Sequence, residues 1–152
     1  MILRNNGNLE VKGNISATGT LTFNNNTLSD FIVETGSESM GSNGTWYWRK
    51  WASGKAECYG CRDFGRMNIG TVWGTYLRRS EVLSQNLPTN LFNATPYVVD
   101  IQLVNSTYGG WVSKYENGAP SKVSTGNFVV VHPVGATNSA TYIGFHIIGG
   151  WK

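Results

Sequence analysis

The sequence is short of charge, of strong helix formers, of cysteine and of long apolar runs, and each shortage closes off a class of protein. Charged residues make up 14% of its 152 positions, against about 25% in an average soluble domain. Ala, Leu, Glu and Lys are scarce. A helical bundle, a coiled coil and a doubly wound nucleotide-binding sheet are therefore excluded as main architectures. Apolar runs such as Val129-Val130-Val131 are far too short to span a bilayer, so no membrane insertion is expected. The opening Met1-Ile2-Leu3-Arg4-Asn5-Asn6-Gly7 has no secretory signal stretch. The expectation is a chain made in the cytoplasm and carried out only by an assembly. Twelve basic residues give a net charge of +3 but are spread over the whole length. Arg49-Lys50 and Arg78-Arg79 are the densest clusters, short of the concentrated stripe that marks a nucleic-acid binder.

Only Cys58 and Cys61 occur, as Cys58-Tyr59-Gly60-Cys61. A structural zinc site needs four ligands, and the only histidines, His132 and His146, fall on separate expected strands. A redox pair would open a helix, whereas these cysteines sit among strand-like residues. Two ordinary thiols are expected, with no metal and no cofactor.

What the sequence has in excess is turn formers and rings. Gly, Asn, Thr and Ser account for 62 of the 152 residues, and Trp, Tyr and Phe for 19. So many aromatic and β-branched side chains would not be left in water. The composition therefore predicts a turn-rich, all-β chain with rings filling its core. Residues 1–26 are poor in rings. Leu9 and Val11, Ile15 and Ala17, and Leu21 and Phe23 alternate with polar residues between Gly7, Gly13 and Gly19. These neck strands bury too little to offset their own entropy, which predicts pairing with copies of the chain in an intertwined homotrimer. Over 27–35 a short helix is expected: Thr27 caps with Asp30, and Leu28, Phe31 and Ile32 share one face. Residues 36–44, rich in Gly and Ser, read as the rest of a 27–44 helix-and-linker segment.

From Thr45 to Lys152 the pattern is β. Trp46–Trp51 and Lys55–Tyr59 flank a short hairpin turn. Asn68–Arg78 reads as one strand, followed by a loop with Leu87-Pro88 and Thr95-Pro96. Residues 97–104 alternate and are expected to pair with Thr107–Tyr115, with Asn127–His132 and Thr141–Ile148 completing the set. About seven such strands predict an antiparallel β-sandwich or jelly-roll-like head.

The stretch from Gly44 to Gly60, with Trp46-Tyr47-Trp48-Arg49-Lys50-Trp51, a small Gly54 turn and Ala56-Glu57-Cys58-Tyr59, resembles a signature of tail proteins from phages and prophages of Gram-positive bacteria. Thr27–Glu34 is similar to the short helix that precedes this signature. Leu87-Pro88, Leu91-Phe92, Thr95-Pro96 and the terminal Gly149-Gly150-Trp151-Lys152 resemble its later landmarks. The resemblance runs from about residue 20 to the end. It departs at Tyr59, where the family often has Trp, and at the added Cys61. It implies a trimeric, all-β terminal domain of a tail fibre or baseplate protein that attaches to the host surface. It brings no catalytic positions.

The residues agree that no enzyme is expected. There is no Gly-x-Ser-x-Gly elbow, and the head carboxylates Glu57, Asp63, Glu81, Asp100 and Glu116 are scattered, short of the facing pair a glycosidase needs. His132 and His146 read as structural. The rings of Trp46, Trp48, Trp51 and Trp151 are expected in the core or at a subunit interface. Trp111, beside the Gly109-Gly110 turn with Tyr108 and Tyr115 near it, is the first candidate ligand contact, and Trp73, Tyr76 and Arg78 form the second. The expected partners are copies of the chain, other tail or baseplate proteins and a host cell-surface carbohydrate. The competing readings are a purely structural tail module and a polysaccharide depolymerase.

Overall fold

The computed structural model describes residues 30–152, four two-residue strands ahead of them, and of Asn105 the backbone alone. The chain forms two units, Met1–Phe31 and Ile32–Lys152. In the first, β1 (Ile2–Leu3) pairs antiparallel with β2 (Leu9–Glu10), and β3 (Thr22–Phe23) with β4 (Asn26–Thr27). Of the expected neck positions, Leu9 and Phe23 lie in these ladders, while Val11, Ile15, Ala17 and Leu21 fall outside the described residues.

The helix expected over 27–35 is not formed. Thr27 ends β4, and Ile32 opens an eight-residue strand, β5 (Ile32–Ser39). Ile32, Val33 and Thr35 are β-branched, stiff at χ1 and better accommodated on a pleated sheet than in a short isolated helix. Pairing then decides: Glu34 to Ser39 match Lys50 to Thr45 residue by residue on β6 (Gly44–Trp51). The expected linker is likewise mostly strand, and only Met40–Asn43 turns, closed by Met40 N–H donating to the Gly44 carbonyl at 3.0 Å.

The larger unit is all-β, with no helix among the described residues, and is built from two antiparallel sheets. The other strands are β7 (Lys55–Ile69), β8 (Thr71–Trp73), β9 (Leu77–Arg79), β10 (Val98–Ser106), β11 (Trp111–Lys114), β12 (Phe128–His132) and β13 (Ala136–Gly150). The first sheet runs β10-β13-β7-β6-β5 and the second β11-β12-β9-β8. Two sequence expectations change. Asn68–Arg78 is not one strand: the chain leaves the first sheet at Ile69 and makes the β8–β9 hairpin of the second. Nor does β11 pair with β10; it joins β12 instead. The switch happens at Gly109-Gly110, where Gly110 has φ of 117° and a Cβ would lie 2.5 Å from the Val131 carbonyl oxygen, geometry that only glycine accommodates.

Alternate residues of β13, from Ser139 through Thr141, Ile143, Phe145 and Ile147 to Gly149, are buried, as a two-residue period demands of a sheet covered on one face. The two sheets meet through rings. Phe145 lies 5.5 Å from Trp46 and 5.8 Å from Phe128, and Phe64 sets its edge on Phe128 at 6.0 Å. Leu87, Leu91 and Phe92 from the proline-bearing loop close the same core. Trp151 packs against it and donates its indole N–H to the Trp51 carbonyl at 2.9 Å.

Candidate functional site

Strand period sorts the rings of the β6–β7 hairpin into two sets. Trp46, 1% exposed, and the partly buried Trp48 face the core, together with Ala56 and Cys58. Tyr47, Arg49 and Trp51 on β6, and Lys55, Glu57, Tyr59 and Cys61 on β7, take the opposite face. Tyr47 and Tyr59 are cross-strand partners, and their rings stack at 6.0 Å with 28° between the planes. They remain 53% and 45% exposed. A neighbouring subunit was one expected cover for this strand's outer face; among the described residues, Tyr47 and Tyr59 keep about half their surface open there.

Beside the rings lies a charged knot. Glu57 points outward yet is buried, because the Arg49 guanidinium closes over its carboxylate. Lys55 Nζ stands 4.0 Å and His146 Nε2 3.8 Å from its other oxygen. Arg49 and Lys55 also lie over the Trp51 ring, at 4.9 Å and 4.4 Å. Two open depressions flank Tyr59. One, of about 320 Å³, is bounded by Cys61, Asp100, Gln102, Val104 and His146, with Gly144 as its floor. The other, of about 360 Å³, is bounded by Thr35, Ser37, Tyr47 and Arg49.

The residues singled out in the sequence lie elsewhere, on and around the second sheet. Trp111 opens its edge strand β11, opposite Val131, and is 44% exposed. Tyr115 lies just beyond the same strand beneath Arg79, whose guanidinium is 4.8 Å from its ring. Trp73 pairs with Leu77 at the opposite edge, and Tyr76, in the turn between them, is 81% exposed. Two strands therefore separate Trp111 and Tyr115 from Trp73 and Tyr76. Arg78 and Tyr108 do come together, across a cleft of about 630 Å³ that also involves Asn68, Val134 and Thr137. His132 holds that corner: its Nδ1 accepts from Val134 N–H at 3.3 Å, which leaves Nε2 to donate to the Tyr108 carbonyl at 3.0 Å.

Cys58 and Cys61 are three residues apart on one strand, so they point to opposite faces and cannot grip one ion. Burial, and then the Glu57 charge, push the Cys58 thiol far up from its ordinary value, and burial followed by Asp63 also raises Cys61. Among the described residues no three of His, Cys, Asp and Glu gather as a metal site.

Sequence reasoning passed over Tyr47, Tyr59, Asp100, Gln102 and His146 as contacts. The signal was present in the strand alternation, since Tyr47 falls between Trp46 and Trp48 and so lies on the other face. No family model, curated protein or solved structure matches the chain.

Proposed function

We propose that the chain is the terminal part of a phage tail fibre or baseplate protein, working as a homotrimer whose head attaches to the host surface by binding a cell-wall carbohydrate. The resemblance of the Gly44–Gly60 stretch motivates this reading, and one observation carries it. That stretch folds as a single hairpin whose Trp rings serve the core while Tyr47 and Tyr59 stand stacked and half exposed beside hydrogen-bonding groups. Such a pair steadies the hairpin, and its open faces beside polar groups also suit the C–H face of a sugar.

Self-association has its own support. β5 is an eight-residue edge strand, and Ile32 and Val33 at its start are half exposed. Such an edge invites pairing with another chain. The same feature favours the second reading, a structural tail module whose surfaces only join subunits.

Adsorption of the purified protein to isolated Gram-positive cell walls separates the two readings, with light scattering run in parallel. Saturable binding by a species of three times 16.7 kDa supports attachment. Trimers that bind no wall support the structural module, and a stable monomer overturns the trimer. Time-dependent release of reducing ends from wall polysaccharide would instead point to a depolymerase.

A further inference from the structure

The registers of the first sheet line up five outward residues in one row across all five strands: Asp100 on β10, His146 on β13, Tyr59 on β7, Tyr47 on β6 and Ser37 on β5. All five are exposed. With strands about 4.8 Å apart, the row is about 19 Å long. We propose that this row is the binding site for a neutral or amino-sugar oligosaccharide lying across the strands, and that the Trp111 and Trp73 regions are not. The inference rests on the attachment reading above and adds to it a place and a ligand class.

The shape of the row suits a sugar. The two central members are flat rings with open faces, suited to the C–H face of a pyranose, and the outer members are polar. The depressions on either side of Tyr59 are continuous with the row. In the neighbouring row, Gln102, Gly144, Cys61 and Thr45 are in register. Gly144 contributes no side chain there, and a Val104 methyl takes up the space, 2.8 Å from where a Cβ would stand, as an apolar wall of the depression beside Gln102 and Cys61. Hydroxyl groups of a sugar seated on the rings would find the Asp100 carboxylate, the Gln102 amide and the Ser37 and Thr45 hydroxyls at its rim. Polar groups beside stacked rings are what a carbohydrate needs, whereas the centre of a subunit interface is depleted of charge.

The charge around the row selects the ligand class. The cations flanking the row, Arg49 and Lys55, are both drawn onto Glu57. Asp100 has a neutral hydrogen-bond partner, Gln102 Nε2 at 2.7 Å. A phosphate polymer laid along the row would meet the exposed Asp100 carboxylate and, at its flank, cations already committed to the buried Glu57. A neutral chain meets no such penalty, and an amino group gains from Asp100.

The test uses the full chain on an array of neutral and amino-sugar tetrasaccharides with poly(glycerol phosphate) beside them. The expected result is binding to sugars of the first two classes. Tyr47→Ala and Tyr59→Ala should each weaken it by about tenfold or more, Tyr59→Phe should retain it because the ring remains, and Trp111→Ala should leave it unchanged. Thermal melting and light scattering check that the variants keep their fold and mass. Binding confined to poly(glycerol phosphate), or affinity unaffected by both alanine variants, overturns the site. Loss of the oligomer on Tyr59→Ala also overturns it and makes the face a subunit interface. If the wild type adsorbs to cell walls and the alanine variants adsorb equally well, only the row is lost. If the wild type adsorbs to no wall, the attachment reading fails as well.

Discussion

At the residue scale, Cys58 links burial to pH. Its side chain is fully buried beside Glu57, and burial first, then that charge, hold the thiol protonated in the folded chain. In the unfolded chain it ionises near its ordinary 9.0. Above that pH the folded state binds one more proton than the unfolded state, so stability falls as pH rises, by about 1.4 kcal/mol per unit from this group. Below it the contribution is complete and flat. Urea unfolding between about pH 8 and about pH 10.5 should therefore show a decline in the wild type that Cys58→Ala reduces by this amount. Glu57 is the second informative residue. Glu57→Gln removes the charge that Arg49 and Lys55 close upon, and is expected to cost about 1–2 kcal/mol, discounted because the Arg49 side chain is 43% exposed. The denaturation midpoint reads this directly, and no change in it would show that the knot is merely a surface ion pair.

Among the elements, β5 departs most from the sequence reading. Leu28, Phe31 and Ile32 sit at helical spacing, and Thr27 and Asp30 have the spacing of a cap, so local pattern favoured a helix. The pattern was too short to hold by itself, because a helix of about nine residues nucleates poorly without tertiary support. The β6 edge offered a full ladder instead. One residue in that ladder is exacting. Gly36 faces Trp48, and a Cβ there would lie 2.2 Å from the indole ring. Gly36→Ala must push the ring off its bed or break the strand pair. The expected loss is about 1–3 kcal/mol, read as faster amide exchange along Glu34–Ser39 as well as a lower melting temperature. Unchanged exchange would show that β5 is held by something other than this contact. By contrast, the hairpin of β6 and β7 was legible, because Ala52-Ser53-Gly54 separates two runs of strand formers. The switch of sheets at Gly109-Gly110 was not, since a glycine pair marks a turn without saying which strand comes next.

For the whole molecule, the two sheets are joined through a few rings. Phe128 comes from the second sheet and meets Phe64 and Phe145 of the first, and it is fully buried. Phe128→Ala should cost about 3–5 kcal/mol, enough to threaten the fold of a domain this size. A milder Phe128→Leu keeps the variant measurable, and a cost below about 0.5 kcal/mol would mean that the sheets are not coupled through this ring. At the same scale, pairing of copies through β5 predicts that Ile32→Glu with Val33→Glu lowers the mass seen by light scattering while leaving the monomer folded. An unchanged mass would move the subunit contact elsewhere.

The sequence by itself determined that the chain is predominantly β, because its turn formers, β-branched residues and rings suit pleated sheets and strong helix formers are few. It also determined, through the two-residue period, that Trp46 and Trp48 share one face while Tyr47 lies on the other. Only the tertiary structure decided which face meets the second sheet. Hydrophobicity labels a face when one set of positions is apolar and the other polar, and here both sets carry rings. It decided too that Asp100, His146, Tyr59, Tyr47 and Ser37, far apart along the chain, share one row. Register between non-adjacent strands is fixed by packing across the whole sheet, and no local pattern encodes it.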